Sequence, residues 1–254
     1  FMKRCSLKVF RTLTFGLFFS IGIIQTNWAQ ETDTDKWQSN FDQGIALMNS
    51  SDLQGAIPFL KTAYGHAKSI YTIDVEERIQ TIFYLGYCYF RMGKNSDAIP
   101  YYEEVRDNLI EVSNINHQYY YVSLVHLSTM YRDIGSFSTA EEIYHQRLNY
   151  LENTKGTENS DYTETLIGLS TIYRLAGLFE KALETIESSL HIVGNIEGNE
   201  STTYALGLTS LCQIYGELSD YEKAIDLQKN AIEIFGKGER TSNNYVVAVL
   251  TLAS

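Results

Sequence analysis

Five histidines (His66, His117, His126, His145, His191), three cysteines (Cys5, Cys88, Cys212) and two arginines 42 residues apart (Arg132, Arg174) are the side chains of this 254-residue sequence best suited to chemistry. A zinc site needs histidine and cysteine at closely repeated spacing, such as an HExxH pair on one helix face. The histidines here are scattered, and neither cysteine pairs with a nearby one. There is no GxSxG elbow, no phosphate-cradling GxxxxGK[ST] loop and no GxGxxG dinucleotide fingerprint. No catalytic, cofactor-binding or metal-ligating residue is therefore assigned, and the chain reads as a non-enzyme. His126 and His145 are spaced so that they could approach within one hairpin. The acidic pairs Glu103–Glu104 and Glu141–Glu142 are expected on solvent faces. Two guanidiniums in register could grip a partner carboxylate or phosphate, or pair with neighbouring Asp and Glu.

The elements that carry these residues repeat. From Thr163, apolar residues recur at helical spacing (Leu166, Leu169, Tyr173, Ala176), break at Gly177, and resume at Phe179, Ala182, Ile186 and Leu190. Two amphipathic helices joined by a glycine corner form a hairpin. A step of 42 residues links Ala56, Ala98, Ala140, Ala182 and Ala224. The same step links Tyr89, Tyr131, Tyr173 and Tyr215, and the corner positions Ser51, Gly93, Gly135, Gly177 and Ser219. A fixed period of this kind marks a stacked-repeat architecture. The small residue in each second helix lets two helices cross closely. A second small column, Gly44, Gly86, Ser128, Ser170 and Cys212, lies on the first helices. The paired prolines Pro58 and Pro100 place helix starts near Leu53 and Asn95.

The array is read as five hairpins over about residues 37–69, 75–112, 117–152, 160–193 and 201–235, with a sixth begun at 242 and cut short at Ser254. The natural chain is expected to continue beyond that point, because an array ending inside a helix leaves an apolar face uncapped. Residues 30–36 read as a polar lead-in. Before them, Lys3, Arg4, Lys8 and Arg11 precede the apolar run Leu13–Ile24 and a small residue at Ala29, the pattern of an export signal cleaved near Ala29. The expected location is periplasmic or secreted. That run of 12 residues is short of the roughly 20 needed to span a bilayer. Net charge is −11, or −15 without the four basic residues of the leader, which excludes phosphate-backbone binding and a polybasic membrane site. Cys88 and Cys212 fall three repeats apart. Because stacked repeats touch only their neighbours, both are expected to be packed free thiols.

On the pattern L-x-x-L-[small]-x-x-Y-x-x-x-G-x-[FY]-x-x-A, matched at Leu166, Leu169, Ser170, Tyr173, Gly177, Phe179 and Ala182 and again at Leu124, Leu127, Ser128, Tyr131, Gly135, Phe137 and Ala140, the sequence resembles the tetratricopeptide repeat family. The 42-residue unit is similar to the longer kinesin-light-chain-like class. The resemblance implies an all-α, right-handed superhelical solenoid whose concave wall of first helices binds a peptide or protein segment. It transfers the family's contact positions only in part. The asparagines that clamp a terminal carboxylate in chaperone-tail-binding members are replaced by Thr129, Thr171 and Gln213. Their basic partners become Asp133, Leu175 and Glu217, with Arg91 retained. The inner asparagine ladder of cargo-binding relatives is replaced by Tyr84, His126, Gly168 and Ser210. The candidate partner-binding residues are Tyr87, Arg91, Thr129, Arg132, Thr171, Arg174 and Gln213, and the expected partner is a protein or peptide with an acidic segment. Similar arrays also precede caspase-like proteases or sensor histidine kinases, so a second reading is the sensing arm of a longer effector. The gene sequence beyond Ser254 separates the two.

Overall fold

A computed structural model of the chain describes residues 32–237; the leader and the sixth copy lie outside them. Among the described residues there are ten helices and no strand. They pair as α1 (Asp33–Asn49) with α2 (Leu53–Ile70), α3 (Glu76–Arg91) with α4 (Asn95–Glu111), α5 (Gln118–Asp133) with α6 (Phe137–Lys155), α7 (Ser160–Leu175) with α8 (Phe179–Ile196), and α9 (Thr202–Glu217) with α10 (Tyr221–Lys237).

Local chemistry sets the helix ends. Thr32 caps α1 by accepting from the Asp35 amide at 3.1 Å, while the Asp35 carboxylate accepts from the Thr32 amide at 3.0 Å. This capping box satisfies two amides reciprocally and starts the helix at Asp33. The stretch 33–36, expected as a lead-in, is therefore the first turn of α1. Asp52, Asn159 and Ser201 cap α2, α7 and α9 in the same manner, each accepting from an amide three residues on. The helices carrying Pro58 and Pro100 begin at Leu53 and Asn95, as the sequence implied. Each proline sits one turn further in than the first turn, where a missing amide costs nothing.

Each corner turns through a left-handed residue. Gly93, Gly135 and Gly177 have φ of 71°, 76° and 73°, and the serines in the same register, Ser51 and Ser219, are held at 67° and 64°. Glycine adopts this region without a Cβ clash.

The small columns lie where helices cross. Ala56, Ala98, Ala140 and Ala182 are fully buried, and Ala224 nearly so. A Cβ added at Gly44 would meet the Leu60 side chain at 2.7 Å, so α1 and α2 approach as closely as glycine permits. First helices of successive hairpins pack on each other, α1 on α3, α3 on α5 and α7 on α9, whereas second helices make no comparable contact with the next second helix. That asymmetry puts the first helices on the inner side of the curve. One core runs from Ala56 through Leu85, Tyr102 and Leu127 to Ile143. A second gathers Ala140, Tyr144, Leu169, Ile186 and Ile214, and a third Ala205, Leu208, Ala231 and Phe235. The division between the first two falls at α6. Among the described residues no helix is long and apolar enough to cross a membrane.

Candidate partner-binding wall

Aromatic rings link the first helices of hairpins one to three. Trp37 stacks on Phe41 at 5.3 Å between ring centres, Phe41 meets Tyr84 at 6.1 Å, and Tyr84 meets Phe83 at 5.7 Å. Phe83 and Tyr119 lie 4.4 Å apart. The sequence signalled this in the run Ile79–Phe90, aromatic on several sides of its helix.

His126 closes this cluster. Its ring lies 4.5 Å from Phe90, 5.0 Å from Tyr102 and 6.3 Å from Phe83. Burial among those rings pushes its pKa down from 6.5 to about 4. His145 is instead exposed, with the Tyr173 hydroxyl 3.3 Å from its Nε2 and Glu141 at 3.9 Å. The two histidines thus have separate surroundings, one an apolar box and the other an outer surface. Because the folded state resists protonating His126, its contribution to stability is complete above pH 6.5 and is lost as pH falls from 6.5 towards 4. With allowance for partial solvent contact, the loss by pH 5 is about 1–2 kcal/mol. His126→Phe is expected to remove that component, so the fall in urea-unfolding free energy between pH 7.5 and 5 should be smaller in the variant by about this amount. Equal falls in both proteins would place His126 in an ordinary solvated setting.

The candidate residues sit along the first helices. Tyr87 and Arg91 are brought together on α3: an Arg91 guanidinium nitrogen donates to the Tyr87 hydroxyl at 2.6 Å, and the guanidinium carbon lies 5.5 Å from the ring centre. Thr129 and Thr171 are half-buried, and each hydroxyl donates to the carbonyl four residues back, Val125 at 3.2 Å and Ile167 at 3.1 Å. Their protons are used, so towards a partner these hydroxyls act as acceptors. Gln213 is half-buried on α9. Arg132 donates to its neighbour Asp133 through Nε at 3.0 Å and Nη2 at 2.8 Å. Arg174 donates to Glu217 on α9 at 3.2 Å. Of the two readings open for this pair, the local one is what the structure contains: each guanidinium holds its own carboxylate.

The acidic pairs are also drawn in. Glu103 accepts from the Tyr131 hydroxyl at 2.8 Å, and Glu104 accepts from the Tyr64 hydroxyl and lies 3.7 Å from both Lys68 and Arg78. Glu141 is half-buried and lies 3.8 Å from Lys181 of the next hairpin. The expectation of solvent faces holds for Glu142, which is exposed, and is corrected for Glu103, Glu104 and Glu141. The physical reason lies in the wedge-filling tyrosines. A phenol that packs its ring between hairpins needs an acceptor for its polar end, and α4 supplies one to Tyr131 of the following hairpin and one to Tyr64 of the preceding hairpin.

Cys88 and Cys212 are buried free thiols, and burial pushes the Cys88 thiol up to about 11. Among the described residues no three His, Cys, Asp or Glu side chains are grouped to hold a metal ion.

No protein-family model and no curated protein matches the sequence. Several solved structures share the fold. One is a kinesin-light-chain-related protein of Podosopora anserina with nearly identical TPR-like repeats, 17% identical over 84% of this chain and all of that one, with a TM-score of 0.68. Another is BtubC (BKLC) from P. vanneervenii, 18% identical over 78% of this chain and 82% of that one, at 0.64. A third is the apo form of the quorum sensor NprR from B. thuringiensis, 13% identical over 87% of this chain and 59% of that one, at 0.62.

Proposed function

Taking the chain as a solenoid with the tetratricopeptide-repeat fold, we propose that it is a scaffold whose activity is to hold a protein or peptide segment against the wall of its first helices. The observation that carries this reading is the wall itself. First helices pack side by side as α1–α3–α5 and as α7–α9, and Tyr84, Tyr87, Thr129, Thr171 and Gln213 remain partly exposed along them. Half-exposed tyrosines give rigid amphipathic contact area with little rotamer entropy to lose, as at interaction hot spots. An acidic partner segment would dock by exchanging places with Asp133 and Glu217 on Arg132 and Arg174. The reading includes export, so the partner is one met outside the cytoplasm.

A peptide selected by display against the full chain supplies the test. Tyr87→Ala is expected to weaken it on the order of tenfold or more, and Glu142→Ala, on the exposed outer face, to leave it unchanged. Weakening by the outer-face change alone would move the binding surface off the wall.

A further inference from the structure

One position breaks the register in a manner that points to a ligand. Stepping by 42 along the second helices from Ala63 gives Val105, Arg147, Ser189 and Ala231. Ala63, Val105, Ser189 and Ala231 are fully buried small or medium side chains. The third hairpin places a guanidinium in this column.

The groups in direct contact with Arg147 are neutral. A terminal nitrogen donates to the Ser128 hydroxyl at 3.0 Å, whose own proton goes to the Val125 carbonyl at 2.9 Å. The guanidinium carbon lies 5.1 Å from the Tyr144 ring centre and 5.8 Å from that of Tyr121. Its Nε is buried and without a hydrogen-bond partner. Arg78, Arg106, Arg132 and Arg174 each have a carboxylate at 3.7, 2.7, 2.8 and 3.2 Å respectively. Among the described residues, Arg91 and Arg147 have none at ion-pair distance, and of these two Arg91 is exposed and Arg147 half-buried. Glu164 on α7 is near enough to feel its charge, and its carboxyl is held above the ordinary range by burial first and by Asp161 and Glu197 next.

The packing pattern changes at this point. The first and second cores divide at α6, and α5 does not pack on α7 as α3 packs on α5 or α7 on α9. Tyr144 takes up the space instead: a Cβ at Gly168 of α7 would lie 2.5 Å from its ring. An arginine between two tyrosine rings, with a buried N–H unspent, lies against α5 beside that ring. A half-buried guanidinium with only neutral groups in contact keeps part of its desolvation cost, and a carboxylate supplied by a ligand offsets that cost at the moment of binding.

We propose that Arg147 receives a carboxylate of the bound segment, an Asp or Glu side chain or a chain terminus, inserted between α5 and α7. This rests on the wall reading above and names the feature of the partner that the wall selects. The carboxylate oxygens take the free Nε–H and a terminal N–H of the guanidinium in the two-pronged geometry that arginine favours. Arg132 and Arg174 already hold carboxylates and Arg91 spends a terminal nitrogen on the Tyr87 hydroxyl, whereas the buried Nε of Arg147 has no partner.

The test uses the full chain labelled with nitrogen-15 at arginine, following the Arg147 Nε–H resonance. The probes are an end-capped tetraglutamate peptide, its tetraglutamine counterpart and inorganic phosphate. Saturable movement of that resonance with tetraglutamate alone is expected, together with about tenfold or greater weakening in Arg147→Gln, the range for a charge-assisted hydrogen bond. A second variant, Arg147→Ala, restores the small residue of the column and is expected to keep or raise the melting temperature. Melting well below wild type would overturn the proposal by making the guanidinium a structural cross-link. Response to phosphate with none to tetraglutamate would overturn the carboxylate assignment. Tetraglutamate that moves amides of α3, α5 and α7 while the Arg147 resonance stays still would overturn this inference and leave the wall reading standing. Silence everywhere would overturn it as well.

Discussion

Tyr102→Ala is expected to cost about 3–5 kcal/mol in stability, the range for removing a buried aromatic, while Tyr102→Phe is expected to be neutral or stabilising. Tyr102 is fully buried at the centre of the first core, 5.4 Å from Phe83 and 5.0 Å from His126 between ring centres. It also lies beneath Gly86, where an added Cβ would touch its ring at 3.4 Å. Truncation leaves a cavity between the second and third hairpins, and neighbouring rings cannot close it without leaving their own contacts. The hydroxyl is a different matter. It is buried without a partner, a condition that costs roughly 1–3 kcal/mol relative to solvation. Removing it alone therefore relieves a penalty and keeps the ring. Urea unfolding of the two variants against wild type separates ring from hydroxyl; a Phe variant as damaged as the Ala variant would show the phenol oxygen to be bonded in solution. Stability in such arrays is approximately a sum of neighbour terms, so hydrogen exchange in Tyr102→Ala should quicken most in α3 to α5 and least in α9 and α10.

The Arg132→Ala/Arg174→Ala double variant is expected to weaken an acidic partner by roughly a hundredfold or more, since each charge-assisted bond contributes about 1.5–3 kcal/mol. The pairs seen in the structure set the terms of this expectation. Asp133 and Glu217 are exposed, and exposed ion pairs contribute little, in the range of about 0–1 kcal/mol, so a partner carboxylate can displace them at small cost. Fold stability should for the same reason change little. Titration of a display-selected acidic peptide against the folded double variant checks this. Wild-type affinity would make the two arginines local partners of Asp133 and Glu217 and nothing more.

What could be read from the sequence was the part that short-range chemistry dictates. Gly93, Gly135 and Gly177 marked corners because a left-handed turn excludes most side chains, and the alanine column marked crossings because contact distance excludes large ones. The start of α1 escaped notice because a single capping residue, Thr32, decides it. Arg132 and Arg174 were legible as a pair on neighbouring first helices, whereas their partners were not: a long side chain selects among carboxylates that sequence spacing does not order. Glu103, Glu104 and Glu141 looked solvent-facing because their role depends on phenol groups 28 to 40 residues away in sequence, such as Tyr131 and Tyr64. His126 occupied a recognised wall position, yet its depressed pKa arises from Phe83, Phe90 and Tyr102, which belong to the preceding hairpin.

Hydrogen–deuterium exchange on the full chain, free and saturated with a display-selected peptide, tests the central claim most directly. The account predicts slowed exchange in the first helices, strongest in α3, α5 and α7, with α4 and α8 unchanged and α6 affected only around Arg147. Slowing confined to α4, α6 and α8, or spread evenly over both sets, would contradict a binding wall built from the first helices.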